Sequence, residues 1–251
     1  MKKIILVPDS FKGTMTSSEV CGIMESEIRR VYPAVQIKSI PVADGGEGTT
    51  DCFLAAMGGT KKMVQVCGVF GEPTQGFFGL LADRKTAVIE MACCAGLPLA
   101  EGRLNPLEAT TFGVGQLLMA AVEENVDHIV LGLGGSATND GGCGLAAACG
   151  VRFTDAAGTE FIPTGGTLGR IARIQIDRLD SRLKDVKITA ICDIDNPLFG
   201  KNGAAYVFGP QKGASEEMVR QMDAGLVHLS DALIRDLGKD VSLLPGAGAA
   251  G

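Results

Sequence analysis

The sequence has no tryptophan, only two histidines, and no Cys-x-x-Cys pair among its eight cysteines. Zinc sites and disulfide scaffolds need such pairs or cysteine–histidine sets, so both are disfavoured and reduced thiols are expected. The adjacent Cys93 and Cys94 end an apolar run and are expected to be small core residues rather than a redox pair. His128 and His228 lie in apolar contexts. Both are expected to be structural, which leaves imidazole catalysis without a basis.

Long runs of one residue class are also missing. No basic run accompanies the net charge of −6, and nucleic-acid binders concentrate Lys and Arg on one face, so no nucleic-acid partner is expected. No segment approaches the roughly 20 apolar residues of a membrane span. The apolar residues after the Met-Lys-Lys start end at Pro8, too soon for a signal peptide. A cytoplasmic protein without a membrane partner is therefore expected.

Glycine is abundant, with 35 residues in a chain of 251. A composition of 46% hydrophobic and 21% charged residues is that of an ordinary globular protein, long enough for one large or two smaller α/β domains. Glycine permits tight turns and close backbone approach, which are common in loops that carry ligands between strands and helices.

Hydrophobic patterning predicts a βαβα opening followed by a change of architecture near residue 60. Strands are predicted at residues 3–7 and 35–40, and helices at 16–31 and 49–57, the first capped by Thr16 or Ser17. The later segments are predicted as an antiparallel meander of strands at 63–69, 76–82 and 87–91, a helix at 107–124, strands at 128–133 and 186–192, and a helix at 214–237 interrupted at Gly225. Residues 155–185 are turn-rich and polar.

The most informative segment is residues 132–144, which places six glycines between a predicted strand and the helical run at 145–149. Glycines let backbone N–H groups point at an anion, and a following helix adds partial positive charge. Ser136 and Thr138 supply hydroxyls, and Asp140 offers an oxygen ligand for Mg²⁺. A phosphate-binding loop is predicted, with a surface loop of no function as the alternative.

Two known nucleotide-binding motifs bear on this segment. No Gly-x-x-x-x-Gly-Lys-Ser/Thr sequence occurs, which argues against a P-loop NTPase. Gly132, Gly134 and Ala137, with Asp155 further along, match a short dinucleotide fingerprint. An NAD-dependent dehydrogenase is therefore the alternative enzyme.

Further acids and lysines follow other predicted strands. Lys12 is expected to meet a phosphate or carboxylate, although Asp9 and Ser10 beside it equally fit a helix cap. Asp44 and Glu47 lie in a glycine-rich loop that opens a helix, where Glu47 equally fits a first-turn charge. Carboxylates at strand ends often react in α/β enzymes, which makes Asp193 the candidate general base and Asp195 its alternative. The segment 208–213 adds Lys212.

Taken together, these segments resemble the bacterial glycerate kinase family. The six blocks that carry the resemblance, in family order, are Pro-Asp-Ser-Phe-Lys-Gly at 8–13, Asp-Gly-Gly-Glu-Gly-Thr at 44–49, Gly-Gly-Ser-Ala-Thr-Asn-Asp-Gly-Gly at 134–142, Cys-Asp-Ile-Asp-Asn-Pro-Leu-Phe-Gly at 192–200, Phe-Gly-Pro-Gln-Lys-Gly-Ala at 208–214, and Pro-Gly-Ala-Gly-Ala-Ala-Gly at 245–251.

The resemblance implies ATP-dependent phosphorylation of D-glycerate to 2-phosphoglycerate, with Mg²⁺, in a two-domain α/β fold. Residues 1–60 would form part of a flavodoxin-like domain, and residues 61–251 an inserted α/β domain. Family members continue past the last block, which implies a chain truncated at its C-terminus; an inactive nucleotide-binding fragment is the non-enzymatic alternative. An open two-stranded sheet would leave apolar surface exposed, which favours self-association as a homodimer.

The same resemblance suggests roles for residues. Asp193 is expected to accept a proton, Asp140 or Asp193 to hold Mg²⁺, and Lys12 or Lys212 to neutralise the transferring phosphoryl group. Asp9, Ser10, Lys12, Asp44, Gly45 and Gly46 are the predicted glycerate site. The predicted ATP phosphate site consists of Gly134, Gly135, Ser136, Thr138, Asn139, Gly141 and Gly142. Lys12, Asp44, Asp140 and Asp193 are expected to converge on a cleft between the two domains.

Overall fold

The structure is a computed structural model that describes residues 3–100 and 102–251. The strands are β1 (Lys3–Leu6), β2 (Gln36–Ser39), β3 (Gly59–Cys67), β4 (Pro73–Leu81), β5 (Thr86–Glu90), β6 (His128–Gly132), β7 (Arg152–Thr154), β8 (Glu160–Phe161), β9 (Arg173–Gln175) and β10 (Lys187–Ile191). The α-helices are α1 (Ser17–Val31), α2 (Thr49–Met57), α3 (Ala92–Ala95), α4 (Phe112–Glu123), α5 (Cys143–Ala148), α6 (Ala204–Phe208) and α7 (Glu216–Leu237). Short 3-10 turns lie at Leu97–Ala100, Leu168–Arg170, Ser181–Asp185 and Pro210–Lys212.

The first unit is a β1–α1–β2 crossover whose two strands pair in parallel, with Lys3 opposite Gln36. Helix α1 begins with the predicted cap: Thr16 Oγ1 accepts a hydrogen bond from the Glu19 N–H, and Glu19 Oε2 accepts one from the Thr16 N–H. Ile5 and Val7 remain more than half exposed, at 55% and 54%. The prediction of an open parallel pair with exposed apolar residues is confirmed; self-association through them stays a prediction.

The main sheet has five strands in the order β10-β6-β5-β4-β3. Strands β3, β4 and β5 form the predicted antiparallel meander, and β6 and β10 extend it as parallel strands. Because β5 and β6 are apolar at successive positions, both of their faces are buried. Leu81, Val88 and Val130 pack against residues of α2 on one face. The other face contributes to a larger core with residues of α4.

A second core holds the C-terminal half together, where α6, α7 and the small β8-β7-β9 sheet pack around Phe153, Leu168 and Met222. The predicted break at Gly225 is wrong: α7 is continuous, and a Cβ at Gly225 would lie 3.1 Å from Leu168 Cβ, so the glycine permits close packing. Residues 155–185, which showed no strand pattern, contain β8 and β9. Strands of two and three residues are too short to show a period of two.

The predicted helix at 107–124 begins later, at Phe112. Asp140 accepts hydrogen bonds from the Thr111 N–H and hydroxyl, and this contact fixes the start of α4. Within the described residues, no helix is both long and apolar enough to cross a bilayer. The predicted α/β class is confirmed, while the domain boundary near residue 60 stays a prediction.

Candidate active site

Loops from the β1–β2 pair and from the five-stranded sheet meet where their strands end. The Gly134 N–H donates to Gly45 O at 3.1 Å, and the Leu133 N–H donates to Ile191 O at 3.1 Å. These bonds join the loop after β2 to the loops that follow β6 and β10. Carboxyl ends of parallel strands are where open α/β sheets bind ligands.

Glycine at position 132 is required by this junction. A Cβ there would lie 2.2 Å from Gly45 O, a backbone atom that cannot move aside independently. We expect Gly132→Ala to lower the free energy of unfolding by about 1–3 kcal/mol through overpacking, measured by urea denaturation. Gly169→Ala is the matched control, because a Cβ at Gly169 meets nothing within 4 Å. Equal stability of the two variants would contradict this account of the junction.

A cavity of about 180 Å³ opens at the junction. Its lining includes Lys12 and Asp44 from the first unit, Ser136 from the glycine loop, Asp193 from the loop after β10, and Lys212. Thus three of the four residues expected to converge, Lys12, Asp44 and Asp193, face one cavity. The fourth, Asp140, is fully buried and does not line it.

Lys12 and Asp44 form an ion pair of 2.6 Å at this cavity. The hydrogen bond to Asp44 raises the pKa of Lys12. Burial disfavours the charged form of Asp44, but the hydrogen bonds from Lys12 and the Gly46 N–H outweigh it and lower the pKa of Asp44. The Gly46 N–H is already engaged, because it donates to Asp44 Oδ1 at 2.9 Å. The Gly45 carbonyl accepts a hydrogen bond from the Gly134 N–H. The predicted contact of Gly45 and Gly46 with substrate stays a prediction.

Lys212 is a buried amine whose described hydrogen-bond partners include no carboxylate. Its Nζ donates to Ser136 Oγ at 2.9 Å, to Ala250 O at 3.1 Å and to Thr138 O. Three oxygen acceptors match the three N–H bonds of an ammonium group, but they carry no full negative charge. Burial lowers the pKa of Lys212 to about 7, against the attraction of Asp140. An anion in the adjoining cavity would provide the missing counter-charge.

Asp140 organises the starts of two helices. Its carboxylate accepts from the Thr111 N–H and hydroxyl at 2.8 and 2.9 Å, and from the N–H groups of Gly142 and Gly144 at 3.1 and 3.2 Å. Burial raises the pKa of Asp140, whereas these hydrogen bonds favour its charged form. Thr111 Oγ1 also accepts from the Leu145 N–H. The first turn of α5 is therefore engaged within the protein, and its expected contribution to phosphate binding stays a prediction.

The other predicted residues are divided between several places. Gly134 and Gly135 line the same cavity as Ser136, whereas Gly141 and Gly142 line a second cavity of about 170 Å³. Thr138 and Asn139 are buried between the two. Asp9 is exposed and accepts from the Ser10 N–H. Ser10 lines a third cavity of about 480 Å³ that Lys12 also borders.

The dinucleotide alternative is not favoured by this geometry. A Cβ at Gly134 would lie 2.6 Å from Gly46 N, so this glycine, like Gly132, accommodates another loop of the protein rather than a pyrophosphate. Asp155, the acid of the fingerprint, accepts hydrogen bonds from Ala157 and Thr159 within its own turn.

Sequence reasoning missed Glu90, which ends β5 and is only 3% exposed. Its carboxylate accepts from the Gly48 N–H at 3.3 Å and the Thr50 N–H at 2.8 Å, at the start of α2. The available signal was a single acid in the otherwise apolar run 87–91. Buried charges are rare unless they are paired or hydrogen-bonded.

The fold and the site define an α/β protein with glycine-rich loops at the carboxyl ends of parallel strands. The family model described as "Glycerate kinase family" matches residues 4–251, and the chain belongs to this family. It is 46% identical over 252 residues to a glycerate kinase of Halalkalibacterium halodurans, covering 100% of this chain and 66% of that protein. It is also 46% identical over 251 residues to the glycerate 2-kinase of Escherichia coli, covering 99% of this chain and 66% of the relative.

A solved structure shares the fold. The crystal structure of a protein assigned as glycerate kinase 2 from Salmonella typhimurium matches with a TM-score of 0.88 and 42% identity, covering 100% of this chain and 67% of that one. The chain thus spans 66% of the length of the two relatives above.

Proposed function

We propose that this chain carries the site at which glycerate is phosphorylated by ATP, giving 2-phosphoglycerate. Family membership supports a kinase, and the buried Lys212 beside Ser136 is the observation that carries the assignment of the site. A buried ammonium with no carboxylate among its hydrogen-bond partners favours an anionic ligand. The transferring phosphoryl group is such a ligand, and Gly134 and Gly135 border the same cavity.

Glycerate is assigned to the side of the cavity formed by the first unit. The Lys12 ammonium binds its carboxylate as a point charge, and Asp44 holds Lys12 in place. Asp9 and Ser10 belong to the same loop as Lys12, and we assign them to the edge of this site. The two ligands would therefore be bound by different parts of the structure and meet in one cavity.

In the reaction, Asp193 acts as general base. The attacking hydroxyl gives its proton to the Asp193 carboxylate, and its oxygen forms a bond to the γ-phosphorus. The bond from that phosphorus to the β,γ-bridging oxygen breaks, and ADP leaves with the electron pair. Lys212, with Lys12 as the alternative, offsets the charge on the phosphoryl oxygens, so positioning and electrostatics provide most of the acceleration.

A magnesium ion is also proposed, since Mg²⁺ is usually held by one or two carboxylates together with substrate phosphates. The described residues contain no group of three or more His, Cys, Asp or Glu side chains arranged for a metal. Asp193 lines the cavity and can provide the one or two carboxylate oxygens that Mg²⁺ needs from the protein when substrate phosphates provide the others. The oxygens of Asp140 are occupied by hydrogen bonds, which makes Asp193 the stronger candidate ligand. When bound, Mg²⁺ would neutralise phosphate charge.

A coupled assay of ADP formation with D-glycerate and Mg-ATP tests the proposal, and product analysis by phosphorus NMR identifies the hydroxyl used. Omission of glycerate is the control. Calorimetric titration with NAD and with Mg-ATP tests the alternative enzyme. Binding of NAD without binding of Mg-ATP would overturn the kinase assignment. Nucleotide binding without turnover would instead identify an inactive nucleotide-binding chain.

We also propose that the protein is cytoplasmic and that it forms a homodimer. Size-exclusion chromatography tests the proposed homodimer.

Lys212 gives the proposal a pH dependence. Its pKa of about 7 in the folded, ligand-free protein means that the charge is present below pH 7 and lost above it. Because an anion binds the charged form, Mg-ATP affinity is expected to fall by about tenfold per pH unit above pH 7. Lys212→Met is expected to bind Mg-ATP weakly, with an affinity that is constant over this range. Calorimetry between pH 7.5 and 9 measures the Mg-ATP affinity of the wild-type protein and of the variant.

Stability should change in the opposite direction. The unfolded pKa of Lys212 is 10.5, so the cost of burying its charge is present below about pH 7 and is relieved as the pH rises toward 10.5. The free energy of unfolding of the Lys212→Met variant should not rise with pH in this way. A wild-type affinity for Mg-ATP that does not change with pH would contradict the role of Lys212.

A further inference from the structure

Glu90 occupies a position that links the main sheet to the loop of the proposed glycerate site. It is the last residue of β5 and pairs with Gly132 of β6 in the parallel register. Gly132 in turn abuts Gly45, whose carbonyl accepts the Gly134 N–H. Glu90 therefore ends the central strand of the sheet, directly beside the loop junction.

Both carboxylate oxygens of Glu90 are used by that loop. Oε1 accepts from the Gly48 N–H at 3.3 Å, and Oε2 accepts from the Thr50 N–H at 2.8 Å. The N-cap residue of helix α2 is Gly48, which has no side chain to accept a hydrogen bond. Glu90, at the end of β5, provides the acceptor that a capping side chain would otherwise provide. The positive end of the α2 dipole also favours a carboxylate at this point.

The loop so anchored carries Asp44 a few residues upstream. Gly46 O accepts from the Thr49 N–H and hydroxyl at 3.2 and 2.7 Å, which makes residues 46–50 one hydrogen-bonded turn. Asp44 then binds Lys12 at 2.6 Å. A continuous chain of contacts thus leads from Glu90 through the loop to Asp44 and Lys12.

We propose that Glu90 is a positioning residue that fixes the Asp44–Lys12 pair relative to the glycine loop and so determines glycerate affinity. It does not touch the reacting atoms, because it is buried and both of its oxygens are occupied by the loop. The identity of the ligand rests on the proposed function. The anchoring of the loop does not.

Glu90→Gln tests this at almost unchanged size. Gln keeps one acceptor and turns an N–H donor toward the second backbone N–H, so the anchor is weakened by the loss of a charge-assisted bond. We expect the KM for glycerate to rise by about tenfold or more, with the Kd for Mg-ATP changed by less than about twofold, since Ser136 and Lys212 lie outside the anchored loop. Glu90→Asp, which keeps the charge but shortens the reach, should raise the same KM if Glu90→Gln does not fold.

Asp51→Asn is the matched control. Asp51 lies in the first turn of the same helix, and its side chain is 60% exposed and paired with Lys61. Its replacement should leave both constants unchanged. A proportional rise of both constants in Glu90→Gln, together with a lower melting temperature, would show a merely structural role and overturn the proposal.

Amide hydrogen exchange over residues 44–50 provides a readout without substrate. Exchange should be faster in Glu90→Gln than in wild type, and unchanged in Asp51→Asn. Unchanged exchange in Glu90→Gln would overturn the anchoring. Absence of glycerate binding in the wild-type chain would instead overturn the proposed function and leave the exchange result standing, so the two failures are distinguishable.

Discussion

Replacing Asp193 with Asn is expected to lower kcat by about 10²–10⁴-fold, the contribution typical of a general base. Asn keeps the size of the side chain but cannot accept the proton of the attacking hydroxyl at neutral pH. Asp193 lies exposed on the loop after β10, so its replacement should leave the melting temperature unchanged. The KM for glycerate is expected to change little, because in the proposed site Lys12, held in place by Asp44, binds its carboxylate.

Steady-state kinetics and calorimetry with Mg-ATP measure the effect. Asp195→Asn is the matched control, because Asp195 is the alternative base two residues away and does not line the cavity. Retention of wild-type turnover in Asp193→Asn, with loss of turnover in Asp195→Asn, would transfer the role to Asp195. A parallel loss of Mg-ATP binding in Asp193→Asn would favour the metal-ligand role over the base role.

The largest effect on stability is expected for Asp140→Asn. The substitution removes a buried charge that accepts hydrogen bonds from Thr111, Gly142 and Gly144, and turns an amide N–H group toward donors that then lack a partner. The free energy of unfolding should fall by about 3 kcal/mol or more. Chemical denaturation measures it.

Asp155→Asn is the control for this substitution. Asp155 also accepts backbone N–H groups within a turn and pairs with Arg170, but unlike Asp140 it is partly exposed, so water can replace a lost partner. A much smaller loss of stability is therefore expected. Equal losses in the two variants would show that burial of Asp140 has no special importance.

The sequence predicted most of the regular elements but not all of their ends. The capping pair Thr16 and Glu19 and the apolar strands β5 and β6 are local signals, so α1 and the sheet core could be recognised. The start of α4 depends on Asp140, which is distant in the sequence and contacts Thr111 only after folding. Gly225 looked like a helix breaker because its packing partner, Leu168, belongs to another element.

The site shows the same division between local and distant information. Lys12, Asp44, Ser136, Asp193 and Lys212 were found as polar residues after predicted strands or in glycine-rich segments, and all line one cavity. Their contacts could not be predicted, because a pattern of residue types does not show that Lys212 is buried or that the oxygens of Asp140 are occupied. Glu90 was overlooked because its partners are backbone N–H groups, which leave no side-chain signature.

The separate packing of the first unit has a mechanical consequence. The buried apolar residues of the first unit, Leu6, Val20, Cys21 and Val35, belong to none of the apolar clusters of the described residues. Lys12 and Lys212 therefore lie in parts of the molecule that share no apolar cluster and are connected near the cavity by backbone hydrogen bonds, which open more easily than a packed core. A molecule with negative charge at both ends would bind both lysines at once. It would thereby restrain this connection and make the protein stiffer.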